Sequence, residues 1–93
     1  MSTTAVTVTT TSGVLLAANP RRIKVIFDNT SAGTIYFADV STVTTSTGVS
    51  LATTVQFTDT PPGGNEALFY KGDYHAIAGS SLVIRVTEFS KPQ

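Results

Sequence analysis

The chain of 93 residues has no cysteine, no tryptophan and a single histidine. Without cysteine there are no disulfides and no thiolate metal sites, which also fits assembly in a reducing cytosol. A catalytic triad or a histidine-based metal site needs a defined partner set, and one histidine without cysteine does not supply it. Charge is sparse: 13% of residues are charged and the formal net charge is zero. A freely soluble small domain carries about a quarter charged residues, so part of this surface is expected to be covered. A general nucleic-acid binder would show a strong positive balance, which is missing. No apolar run approaches the roughly 20 residues of a membrane helix. The start, MSTTAVTVTTTSG, lacks the basic n-region and continuous apolar core of a signal peptide, so neither a membrane nor export is expected. No window combines a 3.6-residue apolar period with helix caps, and no internal repeat is visible.

What the chain does have is threonine, concentrated in residues 3–11 and 42–60, together with Val, Ile, Phe and Tyr. These side chains suit a pleated, half-buried surface. Alternation by two recurs, with turn signals about every ten residues, which predicts an all-β fold: a small antiparallel β-sandwich or barrel of about eight short strands. Residues 1–11 read as a flexible, Thr-rich N-terminal arm or as a first strand over Ala5–Thr10. Residues 12–89 read as a single β domain and 90–93 as a frayed tail. Strands are predicted at Val14–Ala17, Arg22–Asn29, Thr34–Asp39, Val49–Leu51, Thr54–Thr58, Glu66–Tyr70, Tyr74–Ala78 and Leu82–Phe89. On the second, Ile23, Val25 and Phe27 should face one way and Arg22, Lys24, Ile26 and Asp28 the other. Asn29–Gly33 is a loop of residues that bond their own backbone, and it should return Thr34–Asp39 as a hairpin partner. Residues 40–48 are open between a loop and a weak edge strand. DTPPGGN over 59–65 is the strongest turn signal.

The search for chemistry yields little. His75 sits between Tyr74 and Ala76 in an ordinary strand position. The acids Asp28, Asp39, Asp59, Glu66, Asp73 and Glu88 are dispersed. Asp59 and Glu66 could flank a cation, but solvated or turn-forming acids are the commoner case, and no cofactor or metal is expected. A paired-carboxylate hydrolase would need a cleft that a chain of this size has little room to build. Gly63-Gly64 belongs to a turn, since no strand–loop–helix with a GK[ST] follows. Ser12, Ser31 and Ser46 lack a nucleophile-elbow context. Arg21, Arg22, Lys24, Tyr36 and Tyr70 could form a basic-aromatic patch that stacks bases. The competing reading is structural: the arginines line a sheet rim and bond acids such as Asp28, Asp39 or Glu88, or chain-end carbonyls. One arginine is then expected to clamp a strand end within the chain, leaving the other to reach a partner.

Several segments in order resemble a broad group of small β-sandwich virion structural proteins of tailed bacteriophages. They are ANPRRIKVIFDNTS at 18–31, TIYFA at 34–38, GVSL at 48–51, GDYHAIAG at 72–79 and LVIRVTEF at 82–89. The order is an arginine pair opening a strand that ends in an Asn-x-Ser loop, an Ile-Tyr strand, a Gly-apolar-x-Leu segment, an Ala-Ile-Ala strand, and a last strand ending in Val-x-Glu. DTPPGGNEALFYK stands where the group has a glycine-rich region. The resemblance implies a non-enzymatic virion protein, foremost a capsid decoration or cement protein, assembled in the host cytoplasm. Its partner would be the major capsid protein or another virion protein. It would act as a homo-oligomer, a trimer being favoured, because a repeated lattice multiplies modest contacts. Arg21, Arg22, Tyr36, Tyr70 and Tyr74 are the candidate interaction residues. The alternatives are a tail or fibre module, or a host-surface or carbohydrate-binding sandwich. The last would show Tyr36, Tyr70 and Tyr74 clustered on one exposed face.

Overall fold

The protein is described by a computed structural model over residues 2–61 and 70–91. Eight strands are formed among these residues: β1 (Ser2–Val8), β2 (Gly13–Leu16), β3 (Arg22–Asp28), β4 (Ile35–Ala38), β5 (Val49–Leu51), β6 (Gln56–Asp59), β7 (Tyr74–Ala78) and β8 (Leu82–Ser90). They make two four-stranded antiparallel sheets, β1-β8-β3-β6 (sheet I) and β2-β7-β4-β5 (sheet II). The all-β expectation holds, in its sandwich form.

The core follows from strand alternation. Val25 and Phe27 of β3, Ile84 and Val86 of β8, Ile35 and Phe37 of β4, and Tyr74, Ala76 and Ala78 of β7 all turn inward and are buried. Phe27 meets Phe37 edge-on at 5.1 Å and Tyr74 edge-on at 5.0 Å, and stacks on Phe57 at 5.7 Å. The two alanines of β7 leave the space these rings occupy. Burying a ring such as Phe27 stabilises the fold by up to about 3 kcal/mol, and the edge-on pairs add roughly 0.5–1.5 kcal/mol each.

Four expectations are corrected. First, β3 and β4 are not a hairpin, because they lie in opposite sheets. The side-chain amide of Asn29 is buried and donates to Gly33 O (2.9 Å) and Leu51 O (2.7 Å), which carries the chain across the core as an arch. Among the described residues only β4 and β5 are consecutive strands that pair; every other consecutive pair is divided between the sheets. Second, of the two readings of the N-terminal segment the strand is the one formed, but over Ser2–Val8 rather than Ala5–Thr10, pairing with β8 at seven successive positions from Ser2↔Glu88 to Val8↔Leu82. Third, Ser90 and Lys91 do not fray: Ser90 ends β8, and the Lys91 N–H donates to Arg21 O at 2.8 Å. Fourth, Arg22 does not share a face with Lys24. The β3–β8 register shifts between Arg22↔Ser90 and Lys24↔Phe89, so one extra residue, Ile23, is accommodated as a bulge. A one-residue slip exchanges the two faces of a strand, and Arg22 turns into the core while Ile23 is half-buried.

Smaller differences have local causes. β6 begins at Gln56 rather than Thr54, because Thr54 takes a positive φ of 66° in a turn closed by Val55 N–H to Ala52 O (3.1 Å). Residues 40–48 form a turn-rich loop pinned by buried Val43, and a Cβ on Gly48 would stand 2.8 Å from Val43 Cγ2 and 2.9 Å from Tyr36 Cβ. The expected strand Glu66–Tyr70 and the Gly63-Gly64 turn lie outside the described residues, apart from Tyr70, which is not in a strand.

Candidate functional site

The polar chemistry of the molecule gathers where β3 starts and β8 ends. Arg22 is fully buried. Its Nε donates to Glu88 Oε2 at 2.8 Å, Nη2 to Ala17 O at 2.7 Å, and Nη1 to Gly72 O at 3.1 Å and, at a longer 3.4 Å, to Tyr70 O. The guanidinium carbon also stands 5.5 Å from the centre of the Tyr74 ring. Isolated burial of such a cation costs several kcal/mol; a carboxylate partner, a set of carbonyls and an aromatic face offset that cost. The side chain of Glu88 remains 18% exposed.

The segment leading into β3 is tied down by short-range bonds. Asn19 Oδ1 accepts from Arg21 N–H at 3.0 Å, Asn19 Nδ2 donates to Ser90 Oγ at 2.8 Å, and Asn19 N–H donates to Lys71 O at 2.9 Å. Pro20 suits this turn because it fixes φ and has no N–H to satisfy. On the other side Asp73 Oδ1 accepts from Ala18 N–H at 2.6 Å, and the Tyr70 hydroxyl donates to Asp73 O at 2.6 Å. Glycine at 72 makes room for this ring, since a Cβ would fall 2.5 Å from the Tyr70 hydroxyl and 2.7 Å from Cζ, so a larger residue would have to displace it.

Both tyrosines are held in their neutral form. Burial, then the Asp59 carboxylate, pushes the Tyr74 phenol up to about 12, while Arg22 opposes the shift. Burial, then Asp39 and Asp73, also raises Tyr70, again against Arg22. The Tyr74 hydroxyl faces Asp59 Oδ2 at 3.4 Å, a weak hydrogen bond.

Of the five candidate interaction residues, Arg21, Arg22, Tyr70 and Tyr74 come together at this end and Tyr36 does not. The clamping arginine is Arg22, and the acid it takes is Glu88, not Asp28 or Asp39. Arg21, the arginine expected to reach a partner, is half-exposed, and its Nη2 donates to Lys91 O at 2.5 Å. Tyr36 lies on the outer face of sheet II, between Ile77 and Ser50. Tyr74 is 6% exposed, so the three tyrosines make no common stacking face. The basic-aromatic patch is likewise not assembled, because Arg22 is buried and Lys24 points from the other sheet with its Nζ 5.3 Å from the Phe89 ring. His75 is half-buried on the outer face of β7, opposite Val14 and Ala38. Among the described residues no three His, Asp or Glu side chains converge to hold a metal. Glu66, the proposed partner of Asp59 for a cation, lies outside them.

The second buried polar side chain went unforeseen. Asn29 was legible as the start of a loop, and its Asn-x-Ser spacing does mark a local turn: Ser31 N–H donates to Asn29 Oδ1 at 3.0 Å and Ser31 Oγ donates to the same oxygen at 2.5 Å. Its reach to Leu51 has no signature in sequence.

The outer faces of the two sheets differ. Sheet I presents Lys24, Asp28 and Arg85 among threonines, with Asp28 directly opposite Arg85. Sheet II presents Val14 (56% exposed), His75, Ile77, Tyr36 and Ser50, with no acidic or basic side chain besides the histidine. No family model, curated protein or solved structure matches this chain at a significant level.

Proposed function

We propose that this chain is a non-enzymatic structural protein of a bacteriophage virion, a capsid decoration protein that binds the outer capsid lattice and stabilises it. The observation that carries the reading is the division of polar and apolar surface. The charged cluster around Arg22 is spent inside the fold: each guanidinium nitrogen donates to a protein acceptor and the residue is shut off from solvent. The outer face of sheet II, by contrast, presents an exposed Val14 beside half-buried Ile77 and Tyr36, with almost no charge. Surfaces of this kind suit broad contact with another protein, where charge is depleted and tyrosine is favoured. The resemblance of the segment order to phage virion proteins supports the major capsid protein or another virion protein as the partner.

The test is reconstitution. Purified protein is added to capsids that lack it, and bound copies are counted as concentration rises. Saturation at a fixed stoichiometry, with a higher temperature of capsid disruption, supports decoration. Absence of capsid binding together with glycan-array binding overturns it in favour of a carbohydrate-binding sandwich. Substituting Val14→Asp on the sheet II face should weaken capsid binding at least tenfold while leaving the Arg22 cluster and the fold untouched.

A further inference from the structure

Among the described residues each sheet ends in two edge strands, and three of these four edges carry the devices that keep sheets from adding further strands. β5 is only three residues long. β6 has four residues and ends in Asp59. β2 has four residues and a register irregularity between Val14 and Leu16. Short length, charge and irregularity all discourage strand addition. β1 has none of them. It is seven residues long, carries no charge and no proline, and keeps unbroken register with β8 at all seven positions. Its outer side therefore offers a straight row of backbone donors and acceptors.

We propose that a second copy of this chain docks on that edge, β1 against β1 and antiparallel, about a two-fold axis at Ala5, joining two four-stranded sheets into one of eight. The strand is its own complement about that centre. Thr3 falls opposite the copy's Thr7, Thr4 opposite its Val6, and Ala5 opposite Ala5. Threonine pairs across strands are favourable, and no charge meets a like charge anywhere along the edge. A two-fold interface requires this kind of self-complementarity. The space beneath the edge agrees with the occupant. A groove of about 130 Å³ opens between β1 and β2, floored by Leu15, Leu16, Ala17 and Val86, with Thr4 and Val6 on its wall and Glu88 at its border. In the paired arrangement the copy's Val6 lies beside Thr4 on this inner side and covers apolar surface that is otherwise open. The geometry is two-fold, in place of the trimer expected from a three-fold lattice position. It does not depend on the capsid reading, and a dimer that ignores capsids would leave it standing.

The test uses the whole chain in solution. Light scattering should give twice the 9.7 kDa chain mass at high concentration. Ala5→Glu places an acid beside Arg85, its partner in the same sheet, and opposite its own copy across the axis. This variant should keep its β-sheet circular dichroism and raise the dimer dissociation constant at least tenfold. Ala5→Cys introduces the only thiol in the chain and should give a disulfide-linked dimer under mild oxidation, whereas Val83→Cys, on the exposed face of β8, should not. A monomer up to millimolar concentration, a trimer, or a dimer that survives Ala5→Glu and gives no Ala5→Cys cross-link overturns the proposal. Should Ala5→Glu fail to fold, the cross-linking pair decides alone.

Discussion

Strand β3 begins and ends at a fully buried polar side chain: Arg22 opens it and Asn29 follows it. The two ends solve the same problem with different chemistry. At Arg22 a charge is taken out of water and met by Glu88, 66 residues away, and by carbonyls at Gly72 and Ala17. At Asn29 a neutral amide is met by Gly33, Leu51 and Ser31, none more than 22 residues away. The amide costs less to bury, so less depends on any one of its partners. The guanidinium is stable where it is only while the whole set is in place, and breaking a buried charged set costs more than the set contributes relative to an apolar core. The Arg22 end is thus a lock that closes when distant strands have met, and the Asn29 end is a local arch that passes the chain from one sheet to the other.

Removing each residue measures the difference. Arg22→Ala leaves two carbonyls and a half-sheltered carboxylate without their donor and should cost about 3–5 kcal/mol. That is a large part of the roughly 5–15 kcal/mol available to a small domain. Urea denaturation should show the midpoint collapsing, and a loss under about 1.5 kcal/mol would show that the cluster is dispensable. Arg22→Lys keeps the charge but loses the fork, and should fall between the two. Asn29→Ala should cost less, about 2–3 kcal/mol, because two carbonyls lose a neutral donor and no charge is stranded. If the two alanine variants proved equal, the distinction between lock and arch would fail.

Alkali should weaken only the Arg22 end. Tyrosine ionises near 10 in an unfolded chain, whereas burial and Asp59 hold Tyr74 up to about 12 in the fold. The folded state therefore keeps a proton that the unfolded state has already released. Stability from this source is complete below pH 10 and is lost as pH rises through about 12. Tyr74→Phe should flatten that decline, leaving a smaller slope from Tyr70, which is raised in the same direction. Denaturation midpoints between pH 9 and 11.5 read the effect, and an unchanged slope in Tyr74→Phe would remove Tyr74 from the account.

The two ends also differ in how far the sequence exposed them. The strands, their spacing and the β alternation were legible because apolar residues recur every second position in β3, β7 and β8. An arginine clamp on an acidic strand end was legible too, from Arg21-Arg22 and the acids Asp28, Asp39 and Glu88, but which of the three acids it takes was not. Which face Arg22 takes was not, because the bulge at Ile23 has no glycine or proline to mark it and a slip of one residue reverses the assignment. At Asn29 the turn was legible and the arch was not. A five-residue loop between two alternating runs looks the same whether it closes a hairpin or crosses a sandwich. What decides is the long-range bond from Asn29 to Leu51, and pairs distant in sequence leave no local pattern. The open edge of β1 was hidden for the same reason: the threonine-rich start reads as a strand or an arm until β8 is seen beside it.

The smallest effect is expected in the turn that the Asn29 end holds in place. Thr54 adopts φ 66° at the third position of the turn Ala52–Val55, where a type II geometry favours glycine or asparagine. A β-branched residue there is strained by about 1–2 kcal/mol. The strain persists because Thr54 N–H donates to Asn29 O at 2.8 Å and Asn29 N–H donates to Val55 O at 3.1 Å, which fix the turn from outside. Thr54→Gly should relieve it, less the greater chain entropy of glycine, for a net gain of about 0.5 kcal/mol, and Thr54→Asn should do about as well. Calorimetry should register a rise in Tm of a few degrees, whereas Thr54→Val, which keeps the β-branch and loses only the hydroxyl contact to Thr53 O, should show none. The gain should also shrink in an Asn29→Ala background, because without the amide bond to Leu51 O the turn can relax by itself. Additive effects of the two substitutions would mean that the strain at Thr54 belongs to the turn alone and the arch plays no part in holding it.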